Sequence, residues 1–192
     1  MVGHMSAPAF YDELRALRLE RLLDASAAII TEGGWNQLSM TKVAHRSGVP
    51  RQSLYKEVGT KSELGAAVVH REVDRFLDGV RAGIAAHPDS VEDGLGAAAR
   101  FALEYSQTNA VLQAILRPGS HSELLELITV NPDPVLTQAC RVVGEALGRG
   151  EADAVVDTMV RLTLSHLLQP TVSIEEAVER IMRTVRGLLA AN

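Results

Sequence analysis

Residues 38–64 read LSMTKVAHRSGVPRQSLYKEVGTKSEL, and the interpretation of the whole chain turns on them. Met40, Val43 and Ala44 recur at helical spacing behind Ser39, whose hydroxyl is placed to cap the opening backbone N–H groups. Gly48 tolerates the left-handed conformation that ends a helix, and Pro50 has a preset φ and no N–H to leave unpaired. The spacing therefore predicts two short helices joined by Gly48-Val49-Pro50. In the second, Leu54 and Val58 face a core and leave Arg51, Gln52, Ser53, Tyr55 and Lys56 outside. Lys61 to Leu64 opens a third, longer helix.

Between Asn36 and Lys61 the basic residues are Lys42, Arg46, Arg51, Lys56 and Lys61, and the only acid is Glu57. The stretch carries a net +4 in a chain of net −5, so everything outside it sums to −9. A basic helix-turn-helix in an acidic protein points to a local polyanion site, because counterion release rewards positive charge only where phosphates are touched.

The N-terminal third resembles the DNA-binding domain of the TetR family of transcriptional repressors. The matching pieces are Leu23-Asp24-Ala25, Gly34-Trp35, Ser39 through Ala44, Gly48-Val49, Leu54-Tyr55 and Lys61-Ser62-Glu63-Leu64. As an ordered set they are far more specific than any one dipeptide. Three positions depart from the family pattern. Ile30 and Val58 stand where aromatics are usual and read as mutually compensating core residues. Glu57, next to Val58, would repel phosphate if it faced DNA.

The resemblance implies an all-α protein with an N-terminal three-helix domain over residues 6–60, joined by a long helix to a ligand-binding and dimerisation domain over 61–192. Residues 1–5, MVGHM, read as an expression-tag scar. In a helix-turn-helix the second helix enters the major groove. Arg51, Gln52 and Lys56 are the candidates for base edges, since arginine or lysine pairs with guanine and glutamine with adenine. Ser39, Thr41, Ser53, Tyr55 and Lys61 are the phosphate candidates. By resemblance, Tyr55 and Lys61 match positions that commonly hold the DNA backbone.

Outside this head the chain reads as helices only. Ala7 to Glu32 carries Leu19, Leu22, Leu23, Ala27 and Ile30 on one side and Arg15, Arg18 and Arg21 on the other. Trp35 reads as a core anchor. A helix from Lys61 to about Ala86 would be about 39 Å long, enough to leave one domain and enter another. Gly79 and Gly83 inside it either let it bend or let a neighbour come close. Further helices are expected from Ser90 to Thr108, Asn109 to Leu116, Ser122 to Val130, the Asn131-Pro132-Asp133-Pro134 break to Leu147, Glu151 to Leu168, and Ser173, capped with Glu176, to the end.

In the resembled family the final two helices form a dimer interface. Carried over here, it comprises Val155, Met159, Thr163, Leu167, Ile174, Val178, Ile181, Met182 and Val185, although both stripes could bury within one subunit instead. The helices between Val91 and Leu147 would then surround a cavity, with Phe76, Phe101, Tyr105, Leu112, Leu116 and Met159 as candidate contacts. With aromatics at 4% of the chain, such a cavity is mostly aliphatic and suits a lipid-like or alkyl effector. The expected partners are a double-stranded DNA operator, a second copy of the chain and a small-molecule effector.

Composition narrows the alternatives. At 192 residues and 46% hydrophobic content the chain can bury a core. No apolar run approaches the roughly 20 residues of a membrane span and no signal-peptide pattern opens the chain, so a cytoplasmic protein without membrane partners is expected. Cys140, the single cysteine, excludes an intrachain disulfide and reads as a small buried hydrophobe. His121 between Ser120 and Ser122 is the most suggestive cluster for catalysis, but no catalytic motif accompanies it. His45, His70, His87 and His166 lack mutual i, i+4 spacing, so no metal, cofactor or catalytic residue is expected. A regulator controlled by a protein partner, or by nothing, is the second reading, and a small helical enzyme a distant third.

Overall fold

In the computed structural model, which describes residues 7–117, 132–150 and 153–191, the described residues form helices and their connections, without strands. The expected helix over 122–130 lies outside the described residues, as do His121 and its flanking serines.

Helix α1 (Ala7–Gly33) packs Leu22, Leu23, Ala25, Ile29 and Ile30 against α2 (Met40–Ser47) and α3 (Arg51–Val58), after a short 3-10 turn over Trp35–Gln37. The local chemistry is as the sequence predicts. Ser39 Oγ accepts from Lys42 N, Gly48 ends α2 at φ 69°, and the Ser47 hydroxyl accepts from Val49 N in the turn. Ile30 and Val58 lie in the same small core with Leu38, Val43 and Leu54, so the two aliphatics do fill the space.

Helix α4 (Lys61–Ala85) opens with a reciprocal cap: Glu63 N donates to Thr60 Oγ1, and Thr60 N donates to the Glu63 carboxylate. Those hydrogen bonds hold the Glu63 carboxyl below its ordinary range. Its contribution is present at neutral pH and lost only as pH falls through that lowered value. Leu64 and Val68 belong to the N-terminal core, while Val80 and Ile84 belong to a second core. One rod thus serves both ends of the molecule.

The second core is closed by α5 (Val91–Thr108), α7 (Asp133–Leu147), α8 (Ala154–Leu168) and α9 (Ile174–Ala191), with α6 (Ala110–Leu116) between the two cores. Ser90, Asn109 and Asp153 cap α5, α6 and α8. Ser173 Oγ accepts from Glu176 N before α9. Two boundaries differ from expectation. Asp133 and Pro134 form the first turn of α7, since proline is tolerated where N–H groups have no partner anyway. Helix α8 starts at Ala154 because the Asp153 carboxylate accepts from both Val155 N and Val156 N. At Gly79 a Cβ would overlap the Phe101 ring, so close approach of α5, rather than bending, is what this glycine permits.

The expected dimer stripe needs correction at seven of its nine positions. Val155, Met159, Thr163, Val178, Ile181, Met182 and Val185 are all buried by their own chain, and Leu167 and Ile174 pack half-buried against the same core. An apolar stripe records that a helix face is covered, not which chain covers it. Cys140 is buried among the same residues.

Candidate nucleic-acid interface

Helix α3 is held from below by Leu54, fully buried, and Val58, leaving Arg51, Gln52, Tyr55 and Lys56 on the open side. Arg51 lies over the Tyr55 ring, its guanidinium carbon 5.6 Å from the centroid, and Nη2 donates to the tyrosine hydroxyl at 3.2 Å. This stack removes rotamer freedom from two side chains that an open helix face would otherwise leave mobile. Tyr55 keeps 43% of its surface exposed. Thr41, Lys42 and Lys61 are exposed beside it, whereas Ser39 and Ser53 are half-buried and the Ser39 hydroxyl is engaged as a cap.

The charge of this face is set by two pairings that cross the head. Arg46 makes a two-pronged contact with Glu32 of α1, both oxygens at 2.6 Å, and this lowers the Glu32 carboxyl and raises the guanidinium. Glu57 turns away from the open side and meets Arg15 at 3.1 Å and Arg18 at 3.8 Å, with 14% of its side chain exposed. The one acid of the motif is therefore neutralised from α1. Of the five basic residues of the motif, only Arg46 has a carboxylate partner among the described residues; Lys42, Arg51, Lys56 and Lys61 are left without one. Replacing Glu57 with Gln should free Arg15 and Arg18. We expect tighter binding to any duplex and a salt dependence steeper by up to about two phosphate contacts per head; an unchanged slope in a salt titration would show that α1 lies beyond reach of DNA.

Behind the head is a cavity of about 120 Å³ between α4, α5, α6, α7 and α8. Of the expected contacts, Phe76, Leu112, Leu116 and Met159 line it. Phe101 and Tyr105 do not, which corrects their assignment. They pack instead against Phe76, tilted and edge-on, at centroid distances of 6.3 and 5.8 Å, with Phe101 seated over Gly79. The remaining wall is largely aliphatic, with Val73, Leu77, Val80, Val135, Leu136 and Val143 among it.

Three polar wall residues, Glu72, Gln138 and Thr163, were not assigned to the cavity from the sequence. Glu72, 1% exposed, accepts from Arg75 Nη1 at 3.2 Å, Asn109 Nδ2 at 3.1 Å and the Tyr105 hydroxyl at 3.3 Å. Burial, with the Glu72 charge added, raises the Tyr105 phenol above its ordinary value. The signal was present, since Glu72 stands four residues after Val68 and four before Phe76, a charge in an apolar row. Thr163 was placed in the dimer stripe and lines the cavity instead.

Cavity and head share structural parts. Helix α6 sends Ala114 into the N-terminal core while Leu112 and Leu116 line the cavity. On α4, Arg71 pairs with Glu20 and Asp24 of α1 at 3.1 and 2.9 Å, and the next residue is Glu72. Trp35 packs against both the N-terminal core and Leu112 and Ile115 of α6. Among the described residues no three histidine, cysteine or acidic side chains gather as a metal site, and no helix is long and apolar enough to cross a membrane.

Residues 22–68 match the family model described as bacterial regulatory proteins, tetR family, and residues 90–186 match that of the bacterial tetracyclin repressor, C-terminal domain. The HTH-type transcriptional regulator AlkX of Mycobacterium tuberculosis is 26% identical over 163 residues, covering 81% of this chain and 77% of its own length. The HTH-type transcriptional activator FasR of Mycolicibacterium smegmatis is 36% identical over 64 residues, 33% of this chain and 29% of its own. Among solved structures, the repressor AlkX from Dietzia sp. strain DQ12-45-1b, described as implicated in biodegradation of n-alkanes, superposes with a TM-score of 0.69 at 22% identity over 89% of this chain and 97% of that one. The fatty acid degradation regulator FadR from Bacillus halodurans gives 0.54 at 16% identity over 88% and 94%.

Proposed function

Because the chain belongs to the TetR family of bacterial regulatory proteins, it is a DNA-binding transcriptional regulator, and we propose that it is a dimeric repressor released from its operator by a small apolar molecule held in the cavity. The observation that carries this reading is the shared helix α6, which has Ala114 in the head and Leu112 and Leu116 on the cavity wall. A molecule that fits one placement of α6 better than another shifts the equilibrium between head positions, and operator affinity follows. An aliphatic wall selects an aliphatic occupant, and the likeness in fold to the Dietzia AlkX repressor, implicated in biodegradation of n-alkanes, supports the same class.

On DNA, α3 enters the major groove with Arg51 and Gln52 at base edges and Lys56 beside them. Tyr55, Lys61, Thr41, Ser53 and Ser39 face the backbone. One head covers too little groove for selective binding, so two subunits read half-sites about one helical turn apart. With the apolar stripes of α8 and α9 committed to the subunit's own core, the outer faces of these helices remain for the partner. On α9 that face presents Thr184, Gly187 and Ala191, small and exposed residues at helical spacing that permit close approach.

Selecting bound fragments from the source genome, with and without candidate apolar compounds, tests the reading; recovery of the same fragments at the same yield with every compound would refute effector release. Within a recovered operator, Gln52→Ala is expected to relax preference at one base position. Lys61→Ala should weaken all sequences alike and lower the salt slope by about one unit per head. Equal loss on every sequence for both variants would remove the division between base-reading and backbone-holding residues.

A further inference from the structure

The cavity wall carries chemistry that an alkane leaves unused. Thr163 is 7% exposed, its Oγ1 is buried without a hydrogen-bond partner, and the residue lines the cavity. A buried hydroxyl of this kind is costly to leave unpaired. Glu72 reaches the same cavity from α4. Its three donors occupy three of the roughly four acceptor positions of a carboxylate, which leaves one. The one other polar lining residue, Gln138, is exposed to solvent, and the rest of the wall named above is hydrocarbon.

We infer that the cavity selects a neutral aliphatic alcohol, whose single hydroxyl is taken by Thr163 and whose chain lies against the aliphatic wall, and that Glu72 excludes carboxylates. The inference rests on the reading of this cavity as the effector site and adds the identity of the head group. An alcohol both donates and accepts, so it satisfies either wall residue. A carboxylate can only accept: it serves Thr163 but faces a buried group of the same kind in Glu72. An ammonium is a donor, but the Glu72 carboxylate already has Arg75 beside it, so the ammonium would lose its hydration without a full counter-charge. The volume of about 120 Å³ is of the order of the engineered apolar cavity of roughly 150 Å³ that takes up benzene, so a chain of about six carbons is the matching probe.

The test is calorimetric binding of 1-hexanol, hexanoate, hexylammonium and hexane to the full chain near neutral pH. 1-Hexanol is expected to bind at least about tenfold more tightly than either ion and several-fold more tightly than hexane. Thr163→Val should weaken 1-hexanol at least about threefold and leave hexane unchanged. Glu72→Gln should narrow the gap between 1-hexanol and hexanoate, because the amide no longer repels the anion. Hexanoate binding as well as 1-hexanol, or 1-hexanol indifferent to Thr163→Val, overturns the inference; the threonine variant decides it even if the glutamine variant fails to fold. If all four probes bind alike, the cavity still serves as an apolar site and only the head-group selection falls. If none binds, the effector reading falls and takes this one with it.

Discussion

Leu54→Ala is expected to cost about 2 to 5 kcal/mol and to abolish operator binding while the C-terminal core stays folded. Leu54 is fully buried and holds the recognition helix onto Leu22, Ile30 and Val43. The side chains around it are themselves fully packed and cannot refill the space, and the loss is a large part of the roughly 5 to 15 kcal/mol that stabilises a typical domain. Denaturant unfolding should show a transition at lower denaturant for the head and a retained one for the body. A variant that unfolds within about 0.5 kcal/mol of the parent would mean that α3 is not seated as described.

Glu72→Ala should destabilise the protein by about 1 to 3 kcal/mol, since two part-buried donors lose their acceptor and each can recover some of the roughly 1 to 3 kcal/mol penalty of a fully buried one from water. Removing the carboxylate leaves Tyr105 Oη and Asn109 Nδ2 without their acceptor. Arg75, with 52% of its side chain exposed, can turn to water and adds little. Asn109 also caps α6, so loosening it should reach the head through Ala114. The check is chemical denaturation of Glu72→Ala beside Tyr105→Phe, which removes one donor and should cost less. Equal stabilities for both variants and the parent would show the network to be incidental.

The head was legible in the sequence because its determinants are local. Ser39, Gly48, Pro50 and Thr60 act within four residues of themselves, through caps and a left-handed turn, and each does in the structure what its chemistry predicts. The orientation of Glu57 was not legible, since Arg15 and Arg18 lie some forty residues away and only packing brings them to it. The same limit applies to the C-terminal half. Periodicity located the buried faces of α8 and α9 but could not say that α5 covers them, nor that Phe101 would be drawn out of the cavity by the gap above Gly79. Glu72 could have been found as a charge within an apolar row, whereas the lack of a partner for Thr163 is a property of three dimensions alone.

Trp35 is the only tryptophan in the chain, and its ring lies between the head and α6, against the space where Gly65 has no side chain. The protein therefore carries its own optical probe at the joint between its two cores. Any rearrangement of α6 relative to the head must alter the surroundings of this indole, so its emission can be followed during titration with DNA or with an aliphatic compound, without attaching a dye.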